Sequence, residues 1–321
     1  MPSPSTSIAT LRNDLNAAHL QFDLASETAK FVWPRLLPVY QVNLASAPFP
    51  KVNLNQLLQT HTTARAPKAA YARGDWTFTS DTYTTKEHGW EEVIDDNQKA
   101  MYQDLFRIEA ISALRAFDAV LRNAEIRVAA ALFNASTYTP TSIVHEWDDA
   151  PNAVPITDVK AKVQAIADAT GIWPNALVIN KAVAKNLATC AQIVDRLKFS
   201  GFHNPTQESI TAAVLAEVFD LDHVIVGEAY KNTAGDGAAA SLAPVWSGEY
   251  AWVGKIATTE DLEEPCIGRT FHWTEDGSEL FGHVETYRDE TRRGDIVRVR
   301  HQVDEKVLYA AVGGLFDNVT T

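Results

Sequence analysis

Between Asn97 and Asn134 the apolar positions recur every three or four residues: Met101, Leu105, Ile108, Ile111, Leu114, Phe117, Leu121, Ala124, Val128 and Leu132. Neither proline nor glycine interrupts the run. That period marks one face of an α-helix, and a helix over the whole stretch would be about 57 Å long, well beyond the usual three turns. Immediately upstream the period drops to two. Trp76-Thr77-Phe78-Thr79 and Thr82-Tyr83-Thr84 alternate, and Arg73-Gly74-Asp75 supplies a turn signal before the first of them. This predicts a projecting two-stranded arm. An isolated hairpin is marginal in water, so Trp76, Phe78 and Tyr83 are expected to be covered by a neighbouring molecule. Asp95 and Asp96 open the long helix, where carboxylates suit the positive end of the dipole. A long rod with a projecting arm describes a plate-shaped subunit better than a compact globule with one pocket.

The flanking patterns differ. Residues 1–50 mix short helical patches with prolines at 34, 38, 48 and 50 and predict an extended arm. From 155 to 265 helices alternate with short strands. Ile156, Val159, Val163 and Ile166 mark a helix closed by Gly171, and a further helix runs from Pro205 to about Phe219. Ala176-Leu177-Val178-Ile179 and His223-Val224-Ile225-Val226 read as strands buried on both faces, so this block is a compact α/β domain. Beyond Cys266 the pattern turns antiparallel, over Thr270–Trp273, Leu280–Tyr287, Ile296–Val303 and Lys306–Val312, the last expected to pack on the long helix.

Composition removes several function classes. A hydrophobic share of 46% provides a core, and a formal charge of −13 argues against a dedicated nucleic-acid binder. It does not exclude a protein that merely encloses nucleic acid, where weak repulsion from the wall is an advantage. Cys190 and Cys266 are too few for a disulfide framework. No secretory signal and no membrane-spanning run is expected. No nucleophile elbow, phosphate-cradling loop or dinucleotide fingerprint is present. His145-Glu146-Trp147-Asp148-Asp149 is the densest ligand-type cluster, and it reads as a solvated loop rather than a metal site. The acids Glu260, Asp261, Glu263 and Glu264 read as a charged turn rather than a calcium loop. Arg298 and Arg300 share one strand face, either pairing with acids of an adjacent subunit or facing water. No catalytic residue, metal site or cofactor is expected.

Three tracts taken in order resemble the tailed-bacteriophage major capsid proteins of the Hong Kong 97-like fold. The first is Tyr83-x-x-x-Glu87-x-Gly89 with Val93-Ile94-Asp95-Asp96 and the long helix, similar to the family's extended loop and spine helix. The second is Trp173-Pro174-Asn175 with Leu177-Val178-Ile179, Leu187 and Ile193-x-Asp195-Arg196-Leu197-Lys198. The third is Leu215-Ala216-x-x-Phe219-x-Leu221-x-x-Val224-x-Val226-Gly227. The resemblance implies an α+β fold in four parts: an N-terminal arm over 1–50, an extended β-hairpin loop over 51–94, a peripheral domain over 95–154 and 266–321 with the spine helix and an antiparallel sheet, and an α/β axial domain over 155–265.

It also implies self-assembly through hexamers and pentamers into an icosahedral shell around double-stranded DNA, within a virion put together in the host cytoplasm. Scaffolding, portal and decoration proteins are expected partners, and any scaffold is expected as a separate chain. Some relatives join a lysine of the extended loop to an asparagine of a neighbour. Lys68 and Lys86 lie in the corresponding region and Asn318 is a conceivable acceptor, but no catalytic glutamate matches by motif. Two alternatives accompany this reading. One keeps the fold as an encapsulin-type compartment that loads protein cargo. The other is a homo-oligomeric α/β enzyme with its site among the acids and histidines of 145–149 and 220–223.

Overall fold

The structure is a computed structural model that describes residues 10–11, 31–61, 63–75, 77–102, 108–199, 209–235 and 237–320. Trp76, Pro205, Thr206 and most of the N-terminal arm lie outside the described residues. In chain order the strands are β1 (Thr10–Leu11), β2 (Val39–Val42), β3 (Ser46–Lys51), β4 (Thr79–Thr84), β5 (Lys86–Asp95), β6 (Thr141–Ser142), β7 (Ala176–Asn180), β8 (His223–Gly227), β9 (Tyr230–Asn232), β10 (Leu242–Pro244), β11 (Ala251–Gly254), β12 (Gly268–Trp273), β13 (His283–Asp289), β14 (Gly294–Val307) and β15 (Gly313–Asp317).

The all-apolar runs behave as their composition requires. All five residues of β7 are buried, and its side chains alternate between two cores. Leu177 and Ile179 point into a core with Val159, Ile193, Phe219 and Phe316. Ala176 and Val178 point into another with Leu121, Val128, Trp246 and Trp252. β7 pairs β8 in parallel and β11 antiparallel, within a five-stranded sheet ordered β6-β15-β11-β7-β8. The helix Pro155–Thr170 covers one face, starting on a proline whose missing N–H costs nothing there and ending at Gly171 in the left-handed region.

Helical structure is present at Asp96–Tyr102 and Ile108–Leu132, with 103–107 outside the described residues. The Ile108–Leu132 helix is about 37 Å long. Its buried face is rotated from the expected stripe near the start, since Ala113, Ala116, Phe117 and Val120 are buried while Ile111 is exposed. Those residues meet Ile94, Val284, Val297 and Val299 of the six-stranded sheet. Further along, Leu121, Ala124, Val128 and Leu132 join the core behind the five-stranded sheet. One helix thus serves two sheets.

Pairing corrects three expectations. The tracts expected at Ile296–Val303 and Lys306–Val312 are not two strands, because β14 runs unbroken over Gly294–Val307. It pairs β5 over 294–303, β13 over 294–300 and β12 over 303–307. The tract over 306–312 is shared: Val307 and Ala310 pack on the core that holds Leu121, Ala124 and Val128 of the long helix, while its buried residues turn to another core. Leu308, Tyr309 and Val312 pack with Phe49, Tyr83 and Phe271, and β15 crosses into the five-stranded sheet between β11 and β6. Finally, the projecting arm is not built from 51–94 alone. β4 pairs β3, in register from Ser46↔Thr84 to Lys51↔Thr79, and β5 is a strand of the main sheet.

Candidate assembly surface

The chain between β3 and β4 leaves the body as a long loop. Its described residues hold one short helix, Leu54–Leu57, and no strand. Every described residue from 58 to 78 is exposed, so few apolar contacts hold this stretch to its own subunit. Leu58, Tyr71 and Phe78 are large apolar side chains left in water, Tyr71 at 71% exposure. Arg65, Lys68 and Arg73 outweigh Asp75 here, in a chain that is otherwise strongly acidic. Lys68 sits on a turn with φ of 68°, and the Arg65 guanidinium lies 4.7 Å from the centre of the Tyr71 ring. Tyr71 escaped the sequence reading because it stands alone among alanines, outside any alternating run.

The root of this loop is fixed. Tyr83 does not await a neighbour, which corrects the expectation for that residue. Its ring stacks on Phe271 at 4.6 Å and is 6% exposed. Phe49 lies beside both rings. The pairing of β4 with β3 puts Tyr83 opposite Ala47 and turns it into the body. Lys306 donates to Asp81 at 2.6 Å, the Thr84 N–H donates to Asp304 at 2.9 Å, and the Val52 N–H donates to the Tyr309 hydroxyl at 2.9 Å. Burial alone would raise the Asp81 pKa, but the Lys306 ammonium and the Thr82 N–H outweigh it and hold the carboxyl below its usual range. Tyr83→Ala should therefore lower subunit stability by about 3 kcal/mol through the cavity it leaves, read as a shift in urea midpoint of the unassembled chain.

Arg298 and Arg300 are likewise satisfied at home and neither face water freely nor wait for a partner. The Arg298 Nε donates to Glu285 at 3.0 Å, and Arg300 donates to Glu285 and to Asp276, both at 3.0 Å. Antiparallel pairing of β13 with β14 sets Glu285 opposite Arg298 and beside Arg300. Burial pushes the Glu285 carboxyl up, and the two guanidinium groups more than reverse it. Lys86 begins β5 and is exposed. Asn318 is exposed with φ of 58°, and its side-chain amide donates to the Ile143 carbonyl at 3.2 Å.

The other clusters resolve into structural roles. Trp147 is fully buried and donates through Nε1 to Asp158 at 3.1 Å, so the 145–149 loop is anchored in the core rather than solvated throughout. Asp220 closes the helix Ala212–Phe219 in the left-handed region. Among the described residues, no three His, Cys, Asp or Glu side chains are placed to hold a metal ion, and no helix is long and apolar enough to cross a membrane. Glu264 gathers its own turn. It accepts from the N–H and hydroxyl groups of Thr258 and Thr259, and although burial opposes ionisation these bonds hold its pKa at about 2. The buried Arg269 closes the same turn by donating to the Thr259 and Asp261 carbonyls, each at 2.6 Å.

Sequence reasoning missed Glu125. It lies on the buried face of the long helix, fully covered, and accepts from the N–H groups of Val32 at 3.2 Å and Trp33 at 2.9 Å and from the Trp246 indole at 2.5 Å. It thereby caps the helix Trp33–Leu36, whose own N-cap, Val32, offers no side-chain acceptor. Its spacing from Leu121 and Val128 was the available signal, since a residue between those two turns falls on the apolar stripe.

No family model matches the chain. It is 24% identical over 307 residues to the major capsid protein of Pseudomonas phage JBD67, covering 92% of this chain and 94% of that protein. A phage-related protein from Bordetella bronchiseptica has a similar structure, with a TM-score of 0.67, 19% identity, and coverage of 97% of this chain and 98% of that one. The capsid of cyanophage P-SCSP1u is similar at a TM-score of 0.56 and 12% identity, over 88% and 86%.

Proposed function

We propose that this chain, a homologue of phage major capsid proteins with the mixed helix-and-sheet fold of phage capsids, is the repeating subunit of an icosahedral shell around double-stranded DNA. The observation that carries the reading is the loop over 58–78, solvent-exposed along its described length, charged against the rest of the chain, and mounted on a rigid root. A segment that buries little in its own subunit gains its contacts from another copy, and many such contacts add up over a closed shell. On this reading the loop lies across a neighbour, with Phe78, Tyr71 and Leu58 as apolar anchors and Trp76, Lys68 and Lys86 near the same contact. The five-stranded unit then meets its copies at hexamer and pentamer centres. Arg298 and Arg300 stiffen the peripheral sheet that receives a neighbouring loop.

The role is structural, without catalysis. The acidic wall would repel packaged DNA weakly and let it be spooled without sticking. Scaffolding, portal and decoration proteins are the partners such a shell uses, with assembly in the host cytoplasm. Size-exclusion chromatography and electron microscopy of the expressed chain test the reading: closed particles are expected. A dimer or tetramer that never grows would sink it and favour an oligomeric enzyme. Particles from infected cells that hold nuclease-protected DNA separate a virion from a compartment filled with protein.

A further inference from the structure

His88 and His301 lie directly opposite each other on β5 and β14, with ring centroids 5.9 Å apart and edge to face. His301 is fully buried. Its Nδ1 sits 2.9 Å from the Leu280 carbonyl, which can only accept, so the proton is on Nδ1 and the lone pair on Nε2. That Nε2 is sealed from solvent and has no partner. Arg127 of the long helix stands above the pair, bonded to Glu305 at 3.0 and 2.5 Å. The charged groups facing the two imidazoles are therefore Arg127 from the helix, Glu305 from β14 and Lys86 from β5. Glu125, on the same helix, is committed to Val32, Trp33 and Trp246. The site thus holds one buried carboxylate, already shared with one guanidinium.

We propose that the His88–His301 pair is an acid-released latch between the long helix and the six-stranded sheet: a proton taken up at His301 Nε2 adds a second cation beside Arg127, and the helix lifts from β5 and β14 while the five-stranded sheet stays closed. Burial, with Arg127 and His88 in addition, lowers the His301 pKa to about 4, and burial lowers that of His88 as well. An imidazole held below its usual range binds more protons when released. Its contribution is complete above about pH 6.5 and disappears as the pH falls through about 4. Other groups titrate in different senses or ranges. Glu264 gives up its bonds only near pH 2. The Glu125 pKa is raised by burial, so acid favours its protonated, buried form. His272 on β12, also lowered by burial, faces Ser278 and Asp276 rather than the helix.

Hydrogen exchange of the full chain, followed by mass spectrometry from pH 7.5 to 4 and corrected for intrinsic rates, tests the latch. Peptides from 86–95 and 108–120 should lose protection together, while those of β7 and β11 keep theirs. His301→Gln retains a donor for the Leu280 carbonyl and cannot charge, and it should move the release down by about one pH unit or more. His272→Gln should leave it in place. Release of all elements at one pH, or an unchanged midpoint in His301→Gln, would overturn the proposal. If that variant does not fold, imidazole NMR titration of the wild-type chain decides: helix release coincident with His301 protonation supports the latch, and release without it ends the idea.

Discussion

Replacing residues 59–75 with a short Gly-Ser linker should yield a subunit that folds and melts almost as the parent does but builds no shells. The described part of this segment is wholly exposed, so its removal takes away solvated surface. What holds the root lies elsewhere, in the Tyr83–Phe271 stack, the Lys306–Asp81 pair and the β3–β4 ladder. Shortening such a loop changes closure entropy by only about 1 kcal/mol. Assembly is another matter. If each subunit reaches a neighbour through this loop, the loss repeats at every position of the shell, and closure fails even where one contact is weak. Circular dichroism melts alongside electron microscopy separate the two effects, and normal particles from the linker variant would refute the role given to the loop. The cut has to stay within 59–75. A deletion that continued to residue 88 would remove β4 and the start of β5, and would unfold the root together with the surface.

Glu125→Ala should destabilise the chain by about 3 to 5 kcal/mol, because three buried donors lose a shared acceptor together. Glu125→Gln should cost less, about 1 to 2 kcal/mol, since one amide oxygen can still serve two of them. Acidity distinguishes the variants. Burial raises the Glu125 pKa above its ordinary 4.5, against the pull of Trp246, Trp33 and Val32. The stability of the wild-type site is thus fully present below pH 4.5 and is lost as pH rises through the folded value. Urea midpoints at pH 4 and pH 7 should narrow the gap between wild type and Glu125→Gln at the higher pH. A constant gap would show that folding leaves the Glu125 pKa at its ordinary value, and a gap that widens would show a carboxylate already ionised within the folded chain at both.

The sequence made the local elements plain and the pairing only partly so. β7 carries a run with no polar interruption from Ala176 to Ile179, and such a run has few alternatives to a doubly buried strand. β8, at the sheet edge, buries Val224 and Ile225 and leaves His223 exposed. The long helix announced itself through its period. The partner of β4 did not, because β3 contains two prolines and reads as irregular chain until β4 is set beside it. Tyr83 was misplaced for the same reason. Alternation says that a side chain faces one side of a strand, but pairing with non-local residues such as Ala47 and packing on Phe271 decide what lies there. Arg298 and Arg300 were placed on one face correctly, and their partners Glu285 and Asp276 required the register of β13. Glu125 broke a different habit: an acid within an apolar stripe is easily passed over, although its position alone pointed inward.

The crossing of β15 into the five-stranded sheet bears on how a ribosome delivers this subunit. Until Gly313 to Asp317 emerge, β11 has an open edge, and the places of Leu315 and Phe316 in two separate cores stand empty. A chain whose synthesis stops earlier is caught with that edge exposed, a template for misdirected pairing and a ready target for quality control. Placing this late strand between β11 and β6 makes synthesis through Asp317 a condition for a closed five-stranded sheet, so that products broken before it are screened out before they can poison a growing particle.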